Sequence, residues 1–303
     1  MIEVSGLSKK YRKKLAVDNL SFTVETGKVT GFLGPNGAGK STTMRLMLGL
    51  DSGGGKTLFD SKKLQEHHDP SKVVGILLEA KAFHPTRTAR NHLRILAAAG
   101  GIPDARVEAA LEIVGLSQVA KGKPGKFSLG MSQRLGIAAA ILGEPKYLML
   151  DEPANGLDPE GIAWLRQFIK DYADQGNAVF VSSHLLSEMA KMADNIVVIG
   201  KGKLIADTSV SELIARGSGS SVFVRSTKQG EFKKVLTDKG IDFQAVDNGL
   251  RITGQSTDNI GELAFKSGVT LLELANQGAS LEQVFLELTE HEQEFATDKG
   301  AKK

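Results

Sequence analysis

The sequence predicts an α/β fold followed by a smaller α+β domain, and three observations support this prediction. Short apolar segments alternate with helical segments up to about residue 215, as in a parallel sheet covered by helices on both faces. A glycine-rich segment at residues 34–41 joins one of these strands to a helix. After residues 216–221, whose Gly/Ser-rich composition is typical of a flexible linker, a new pattern of strands and helices begins.

The larger domain is predicted at residues 1–215, and each of its elements follows from the apolar pattern. Residues 2–4 and 20–24 are expected to form antiparallel strands, and residues 42–50 a helix. Helical periodicity with glycine stops predicts a helical insertion over about residues 85–142. Short segments that are apolar throughout predict buried strands at residues 29–33, 147–150, 178–181 and 196–199.

The smaller domain is predicted at residues 216–290. Its expected order is strand, helix, strand, strand, helix, strand, followed by one more helix, which favours an α+β fold of ferredoxin-like type. The expected elements lie at residues 222–225, 231–238, 243–246, 250–253, 259–266, 270–274 and 281–288. The polar residues 291–303 are predicted to form a flexible tail.

The composition excludes several classes of protein. A hydrophobic content of 41% supports a core, and a net charge of +3 is too small to indicate nucleic acid as a partner. The chain has no cysteine, so it has neither disulfides nor a thiolate zinc site, which fits a reducing cytoplasm. No secretory signal is visible, and no segment approaches the ~20 apolar residues that span a bilayer. Any role in transport is therefore expected to need a membrane channel formed by another chain.

The glycine-rich segment has the spacing of a phosphate-binding loop, a glycine followed after four residues by Gly39, Lys40 and Ser41. Backbone N–H groups of such a loop and the start of the following helix can surround phosphates. Lys40 is expected to contact the β- and γ-phosphates, and the Ser41 hydroxyl to bind Mg²⁺. The residues predicted to bind nucleotide through this segment are Asn36, Gly37, Ala38, Gly39, Lys40, Ser41 and Thr42.

Two acidic residues end the predicted strand at residues 147–150. Asp151 lies at the carboxyl end of this strand, where open α/β sheets bind ligands, and its carboxylate is expected to hold Mg²⁺. Glu152 follows directly and is expected to orient and polarise the attacking water. The two acids could instead merely cap the strand, but their position downstream of a phosphate loop favours catalysis.

These motifs, in this order, resemble those of the ATP-binding subunits of ABC transporters. Residues 127–131, Phe-Ser-Leu-Gly-Met, resemble the signature motif of that family, which is usually Leu-Ser-Gly-Gly-Gln. Ser128 and Gly130 match this motif, whereas Leu129 and Met131 depart from it. The resemblance implies that Ser128, Gly130 and Met131 contact the nucleotide of the opposite subunit. Taken alone, Ser128 would be read as an ordinary helix N-cap.

The resemblance extends to three further positions. In this family one loop couples the two sites of the dimer, and its residues are matched here by Asn155, Gly156, Leu157 and Asp158. His184 matches the switch histidine that contacts the γ-phosphate. Tyr11 matches the aromatic residue that stacks on adenine, with Val17 as a neighbouring apolar wall. Where the family usually has a glutamine that touches Mg²⁺, this chain has Glu79, which can still coordinate the metal and can also change the rate of hydrolysis.

The resemblance implies an α/β P-loop NTPase core of the ABC ATPase type, with an antiparallel β subdomain and a helical subdomain, that uses ATP and Mg²⁺. A homodimer is expected, a heterodimer stays open, and a separate polytopic membrane permease is the expected partner. The subunit would be cytoplasmic and peripheral on the inner face of the membrane. The smaller domain, which includes the segment Leu-Glu-Gln-Val-Phe at residues 281–285, resembles accessory domains of drug- and antibiotic-export ATPases, so we expect export.

Two alternatives remain open at this point. A soluble ABC-type ATPase could act on the ribosome or on DNA, although the translation factors of this type usually have two cassettes and the repair proteins long coiled coils. A P-loop kinase of a small metabolite would need an acceptor pocket, and it has no use for a signature motif.

Overall fold

The computed structural model describes residues 1–12, 14–216, 221–246, 248–277 and 280–289. These residues form two compact units, one of Met1–Val210 with Thr289 and the other of Ser211–Leu288. The expected linker residues 217–220 and the expected tail at residues 291–303 lie outside the described residues. Among the described residues, every helix is either too short or too polar to span a bilayer.

The larger unit contains nine strands and seven complete helices among the described residues. The strands are β1 (Ile2–Tyr11), β2 (Lys14–Val24), β3 (Val29–Leu33), β4 (Gly54–Phe59), β5 (Val74–Leu77), β6 (Tyr147–Leu150), β7 (Ala178–Ser182), β8 (Asn195–Gly200) and β9 (Lys203–Ser209). The helices are α1 (Lys40–Met47), α2 (Pro70–Val73), α3 (Ala89–Ala99), α4 (Ala105–Ile113), α5 (Leu129–Ala140), α6 (Pro159–Asp174) and α7 (Leu186–Met192). Helix α8 (Val210–Arg216) begins where this unit ends.

Two sheets build the larger unit. Its main sheet has the strand order β5-β6-β7-β3-β8-β9, in which the first five strands are parallel and β9 is antiparallel to β8. A smaller antiparallel sheet has the order β2-β1-β4. Phe22 of this smaller sheet stacks on Phe32 and Phe180 of the main sheet, with ring centroids 5.9 and 5.6 Å away. The two sheets therefore share one aromatic core.

The elements agree with the predicted pattern, but several bounds differ. Helix α1 begins at Lys40 instead of residue 42 and ends at Met47, because Gly39 and Gly49 take left-handed backbone conformations at φ 106° and 69°. Strands β1 and β2 are longer than predicted, because they extend into segments with exposed charged side chains that lack the apolar pattern. The predicted helical insertion contains α3, α4 and α5, which lie between β5 and β6.

The smaller unit has the predicted βαββαβ order. After the part of α8 that follows Val210, it contains β10 (Ser221–Ser226), α9 (Gln229–Asp238), β11 (Phe243–Val246), β12 (Gly249–Thr253), α10 (Thr257–Lys266), β13 (Leu271–Gln277) and all but the last residue of α11 (Leu281–Thr289). The four strands form an antiparallel sheet in the order β11-β12-β10-β13. Buried side chains of α9 and α10, among them Phe232 and Ile260, pack with Val222 and Ile252 of this sheet in a separate core.

Candidate nucleotide-binding and catalytic site

The strand order of the main sheet brings the predicted site residues together. Strands β6, β7 and β3 are direct neighbours and run parallel, so their carboxyl ends lie side by side. The glycine-rich loop follows β3, Asp151 and Glu152 follow β6, and His184 follows β7. Three segments that are far apart in the sequence thus meet at one edge of the sheet, where ligands bind in open α/β folds.

The glycine-rich loop has the geometry of an anion cradle. Gly37 and Gly39 have positive φ angles of 82° and 106°, which favour glycine and turn the backbone sharply into α1. A Cβ atom at Gly39 would lie 2.5 Å from the carbonyl oxygen of Ala16, so a larger residue does not fit there. Lys40 Nζ donates to the Gly34 carbonyl at 2.7 Å. Burial lowers the pKa of Lys40, while the nearby charges of Glu152 and Asp151 oppose this shift.

A cavity of about 380 Å³ opens beside this loop. Its lining comprises Tyr11, Lys14, Ala16, residues 35–42, Asp151 and Glu152. All seven residues from Asn36 to Thr42 that are predicted to bind nucleotide therefore line one cavity together with the two acidic residues. Lys14 and Ala16, both in strand β2, also lie in this lining, and the Ala16 carbonyl oxygen faces Gly39 of the loop.

The side chains of Ser41 and Asp151 form the centre of the predicted metal site. Ser41 Oγ donates to Asp151 Oδ2 at 2.6 Å, and the other carboxylate oxygen, Oδ1, accepts a hydrogen bond from Ser182 Oγ. A hydroxyl and a carboxylate are the hard oxygen ligands that Mg²⁺ prefers, and this ion usually completes its shell with water and phosphate oxygens. Among the described residues no cluster of three His, Asp or Glu side chains could hold a metal without such additional ligands. The residues present therefore fit Mg²⁺ bound together with a nucleotide.

Glu152 is held from several sides. Its carboxylate oxygen Oε2 lies 2.6 Å from His184 Nδ1 and accepts the His184 backbone N–H at 3.2 Å. Its own N–H donates to Ser182 Oγ at 2.9 Å. Glu152 has a φ of 48°, a left-handed conformation that is uncommon for a residue other than glycine. Such conformations cluster at functional sites, where the surrounding structure holds them in place.

Ser182 is a site residue that the sequence analysis missed. Its fully buried hydroxyl links Asp151 to the backbone of Glu152, so that it connects the ends of β6 and β7. The available signal was the pair of serines at the end of an apolar strand, directly before His184. A buried hydroxyl requires a hydrogen-bonding partner, and the neighbouring strand end is the closest source of one.

The two residues predicted to contact the base take different places. Tyr11 lines the cavity and is 45% exposed, and its hydroxyl donates to Asp51 Oδ2 at 3.0 Å. This hydrogen bond to Asp51 is the largest of the effects that raise the pKa of Tyr11. Val17, by contrast, is fully buried in the core, because successive residues of a strand point to opposite faces. Ala16 lines the cavity in place of Val17.

Glu79 lies outside the phosphate-loop cavity. It is exposed just after β5, and β6 and β7 separate that strand from β3 in the sheet. Glu79 lines a different cavity of about 660 Å³ together with Arg45 and mostly apolar side chains. Its role as a ligand of Mg²⁺ stays a prediction.

The signature segment and the 155–158 loop pack against each other within the chain. A Cβ atom at Gly130 would lie 3.1 Å from the Gly156 carbonyl oxygen, and Gly156, at φ 76°, lies directly against Leu129. Ser128 caps α5 by accepting the Met131 N–H at 3.1 Å, and Asp158 caps α6 by accepting the Gly161 N–H at 2.8 Å. Both residues therefore act as helix N-caps. Ser128, Gly130 and Met131 are absent from the lining of the chain's own phosphate-loop cavity.

Comparison with known proteins agrees with this architecture. The family model described as ABC transporter matches residues 17–155, and a domain of unknown function, DUF8746, matches residues 220–282. The bacitracin transport ATP-binding protein BcrA of Enterococcus faecalis is 36% identical over 297 residues, which cover 95% of this chain and 96% of that protein. The linearmycin resistance ATP-binding protein LnrL of Bacillus subtilis is 31% identical, covering 95% of this chain and 98% of that protein.

Three further comparisons agree with the fold. The lantibiotic transport ATP-binding protein SrtF of Streptococcus pyogenes is 36% identical over 68% of this chain and 90% of its own length. A solved ATP-binding subunit of an ABC transporter has the same fold, with a TM-score of 0.61 and 24% identity over 87% of this chain and 99% of that one. A second solved structure, an ATP-binding cassette in a dimeric post-hydrolysis state with ADP and Pi, aligns with a TM-score of 0.63 and 22% identity over 69% of this chain and 99% of that one.

The fold and the site define a nucleotide-binding protein with a phosphate loop at the carboxyl end of a set of parallel strands. The chain belongs to the ATP-binding proteins of ABC transporters. ATP is the substrate of this family and Mg²⁺ its cofactor, and the chain is an ATPase of the ABC type.

Proposed function

We propose that this chain drives export of a small toxic compound or antimicrobial peptide through a separate membrane permease, by closing a dimer around ATP. The central observation is the convergence of Glu152, His184, Asp151 and Ser41 on the phosphate loop. The relatives named for bacitracin, lantibiotic and linearmycin support the class of cargo. They do not favour the alternative of a soluble ATPase acting on the ribosome or DNA.

Each residue of the site has a distinct chemical role in this proposal. The loop N–H groups and Lys40 bind the phosphates, while Ser41 and Asp151 hold Mg²⁺, which neutralises phosphate charge when bound. Glu152 accepts the proton of the attacking water, and its left-handed backbone directs the carboxylate toward the cavity that the loop lines. His184 donates to Glu152 and keeps that carboxylate oriented.

The position of the signature segment supports a dimer. Ser128 is exposed and lies apart from the chain's own nucleotide cavity, so its hydroxyl and the N-terminus of α5 are available to a phosphate on another subunit. One of the solved structures of the same fold is a dimer with ADP and Pi. Because one chain carries both kinds of surface, two copies can form two equivalent sites, and a related second chain could replace one copy.

A broad apolar cavity supports a further protein partner. It has a volume of about 660 Å³ and lies between the main sheet and α3 and α5. Ile76 and Leu96 line it and are 40% and 39% exposed, and Arg45 and Glu79 add charges at its wall. Apolar surface of this kind marks protein contacts. A permease segment bound there would place this subunit on the inner, cytoplasmic face of the membrane.

Glu152→Gln tests the function at the site itself. We expect ATP binding to stay within about twofold of the wild type and turnover to fall about a hundredfold. With Mg-ATP, analytical ultracentrifugation should detect a dimer of Glu152→Gln that is absent without nucleotide. Glu112→Gln, which changes an exposed glutamate of α4, is the matched control and should retain wild-type turnover. A wild-type chain that hydrolyses ATP at full rate as a monomer at every concentration would contradict the dimer.

The permease is tested separately. The chain should co-purify with a polytopic membrane protein encoded beside it, and vesicles containing both should move cargo only with ATP. Ile76→Glu places a charge in the apolar cavity and should abolish co-purification while the ATPase activity of the free subunit persists. Retained co-purification of Ile76→Glu would place the permease contact elsewhere.

A further inference from the structure

We propose that Gln133 is a positioning residue for Glu152, so that helix α5 controls the catalytic glutamate of its own chain; this inference rests on the role of Glu152 proposed above. Gln133 lies in the first turns of α5 and is 4% exposed. Its Nε2 atom donates to the backbone carbonyl oxygen of Glu152 at 3.3 Å. The N-cap of the same helix is Ser128, the residue predicted to contact the nucleotide of the opposite subunit.

The hydrogen bonds around Glu152 show what this contact adds. The N–H of Glu152 is held by Ser182, and its carbonyl oxygen accepts both the Gln133 side chain and the Asn155 backbone N–H at 3.2 Å. The backbone of Glu152, which has the left-handed conformation, is therefore restrained at both its N–H and its carbonyl group. Gln133 is the side chain that restrains the carbonyl end, and it reaches there from a helix and not from the loop that follows Glu152.

The unused oxygen of Gln133 argues against a purely structural role. No donor in the described part of the chain contacts its buried Oε1 atom. If the amide oxygen and nitrogen of Gln133 exchanged positions, Oε1 would face the Glu152 carbonyl oxygen, and both atoms are acceptors. The observed orientation is therefore the favourable one. A buried atom without a partner destabilises the fold, whereas methionine has a similar shape and no such atom. Packing alone would thus favour an apolar residue at position 133.

The next residue anchors the helix that carries Gln133. Arg134 Nη1 donates to the Val114 carbonyl oxygen at the end of α4 at 3.0 Å, and its guanidinium carbon lies 4.3 Å from the centre of the Trp164 ring of α6. Helix α5 is therefore tied to α4 and α6 beside its contact with Glu152. A movement of α5 that accompanies engagement of Ser128 would change the direction of the Glu152 backbone.

The experiment compares Gln133→Met with the wild type. We expect kcat for ATP hydrolysis to fall about tenfold, because a small displacement of a catalytic group lowers the rate strongly. The Kd for ATP should stay within about twofold, and the thermal midpoint should not fall, since the Glu152 carbonyl keeps the bond from Asn155. Gln167→Met is the matched control: Gln167 is exposed on α6, its amide donates to Asp171 of the same helix, and its replacement should leave kcat unchanged.

A double variant shows whether Gln133 acts through Glu152. Adding Gln133→Met to Glu152→Gln should slow the residual hydrolysis by less than about twofold, because residues that act as one unit are not additive. An unchanged kcat of Gln133→Met, a parallel loss of kcat and ATP affinity, or a further tenfold loss in the double variant would overturn the inference. Full activity of Glu152→Gln alone would instead overturn the proposed function of Glu152.

Discussion

The Nδ1 atom of His184 lies 2.6 Å from the Oε2 atom of Glu152, and these residues follow two neighbouring strands of the main sheet. A second hydrogen bond, from the His184 backbone N–H to the same oxygen, fixes the carboxylate relative to the end of β7. The proposed role of Glu152 as a general base, with His184 as its orienting partner, requires such a geometry.

His184→Ala should lower the rate of ATP hydrolysis by about ten- to a hundredfold, because Glu152 loses the side chain that orients its carboxylate. The Kd for ATP should change much less, since the phosphate loop stays intact. Steady-state hydrolysis and equilibrium nucleotide binding measure the two effects. His68→Ala, a change in a side chain that is 97% exposed, serves as the control and should keep the wild-type rate. A wild-type rate of hydrolysis in His184→Ala would contradict the proposal that His184 orients the Glu152 carboxylate.

Ser182→Ala should both destabilise the fold and slow hydrolysis. Its hydroxyl bridges Asp151 and Glu152, so its loss leaves buried polar groups unpaired, at a cost of about 1–3 kcal/mol in the free energy of unfolding. Thr30→Val on the adjacent strand β3 is the control, because no partner for the buried Thr30 hydroxyl exists in the described structure. Urea unfolding of both variants should show a loss for Ser182→Ala alone. Equal free energies of unfolding for Ser182→Ala and Thr30→Val would mean that the Ser182 bridge contributes little to stability.

Ser128→Ala should impair hydrolysis without weakening ATP binding to the isolated subunit, because Ser128 is predicted to meet the nucleotide of the other subunit. The variant also loses a helix N-cap, which costs about 1 kcal/mol. Ser256→Ala removes an equivalent cap from α10, where Ser256 Oγ accepts the Asn259 N–H at 3.2 Å. An equal loss of activity in both variants would mean that Ser128 only caps its helix. A large loss of ATP affinity would mean that Ser128 contacts the nucleotide of its own subunit.

Asp60 should make the stability of the larger unit depend on pH in the acidic range. Partial burial opposes its ionisation, but hydrogen bonds from Lys146, Tyr147 and the Met1 ammonium outweigh this and lower the pKa of Asp60 to about 2. A depressed folded-state pKa stabilises the protein above the unfolded-state pKa of about 4 and loses that effect as the pH falls toward 2. After a discount for its 40% exposed side chain, the contribution is about 1 kcal/mol.

Asp60→Asn should therefore lower the free energy of unfolding at pH 7 by about 1 kcal/mol and by progressively less below pH 4. Urea unfolding of the wild type and the variant across this range measures the difference. Tyr147→Phe, which removes one donor to Asp60, should reproduce part of the loss at pH 7. A difference that stays constant from pH 7 to pH 3 would contradict the assignment.

The local motifs were predictable from the sequence because neighbouring residues form them. The phosphate loop needs glycines at set positions before Lys40, and the backbone of a few consecutive residues determines its shape. Asp151 and Glu152 were predictable for the same reason, since they directly follow an apolar strand. The alternation of strands and helices likewise indicated the α/β class and the βαββαβ order of the smaller unit.

The tertiary structure alone decided which distant residues support these motifs. The pairing of β6 with β7 brings Ser182 to Asp151, and the packing of α5 brings Gln133 to Glu152, and neither contact follows from spacing along the chain. Strand register placed Ala16 in the cavity and Val17 in the core. Local sequence thus determined the backbone turns that bind phosphate, while strand order and helix packing, which depend on contacts far apart in the chain, determined what holds the catalytic groups in place.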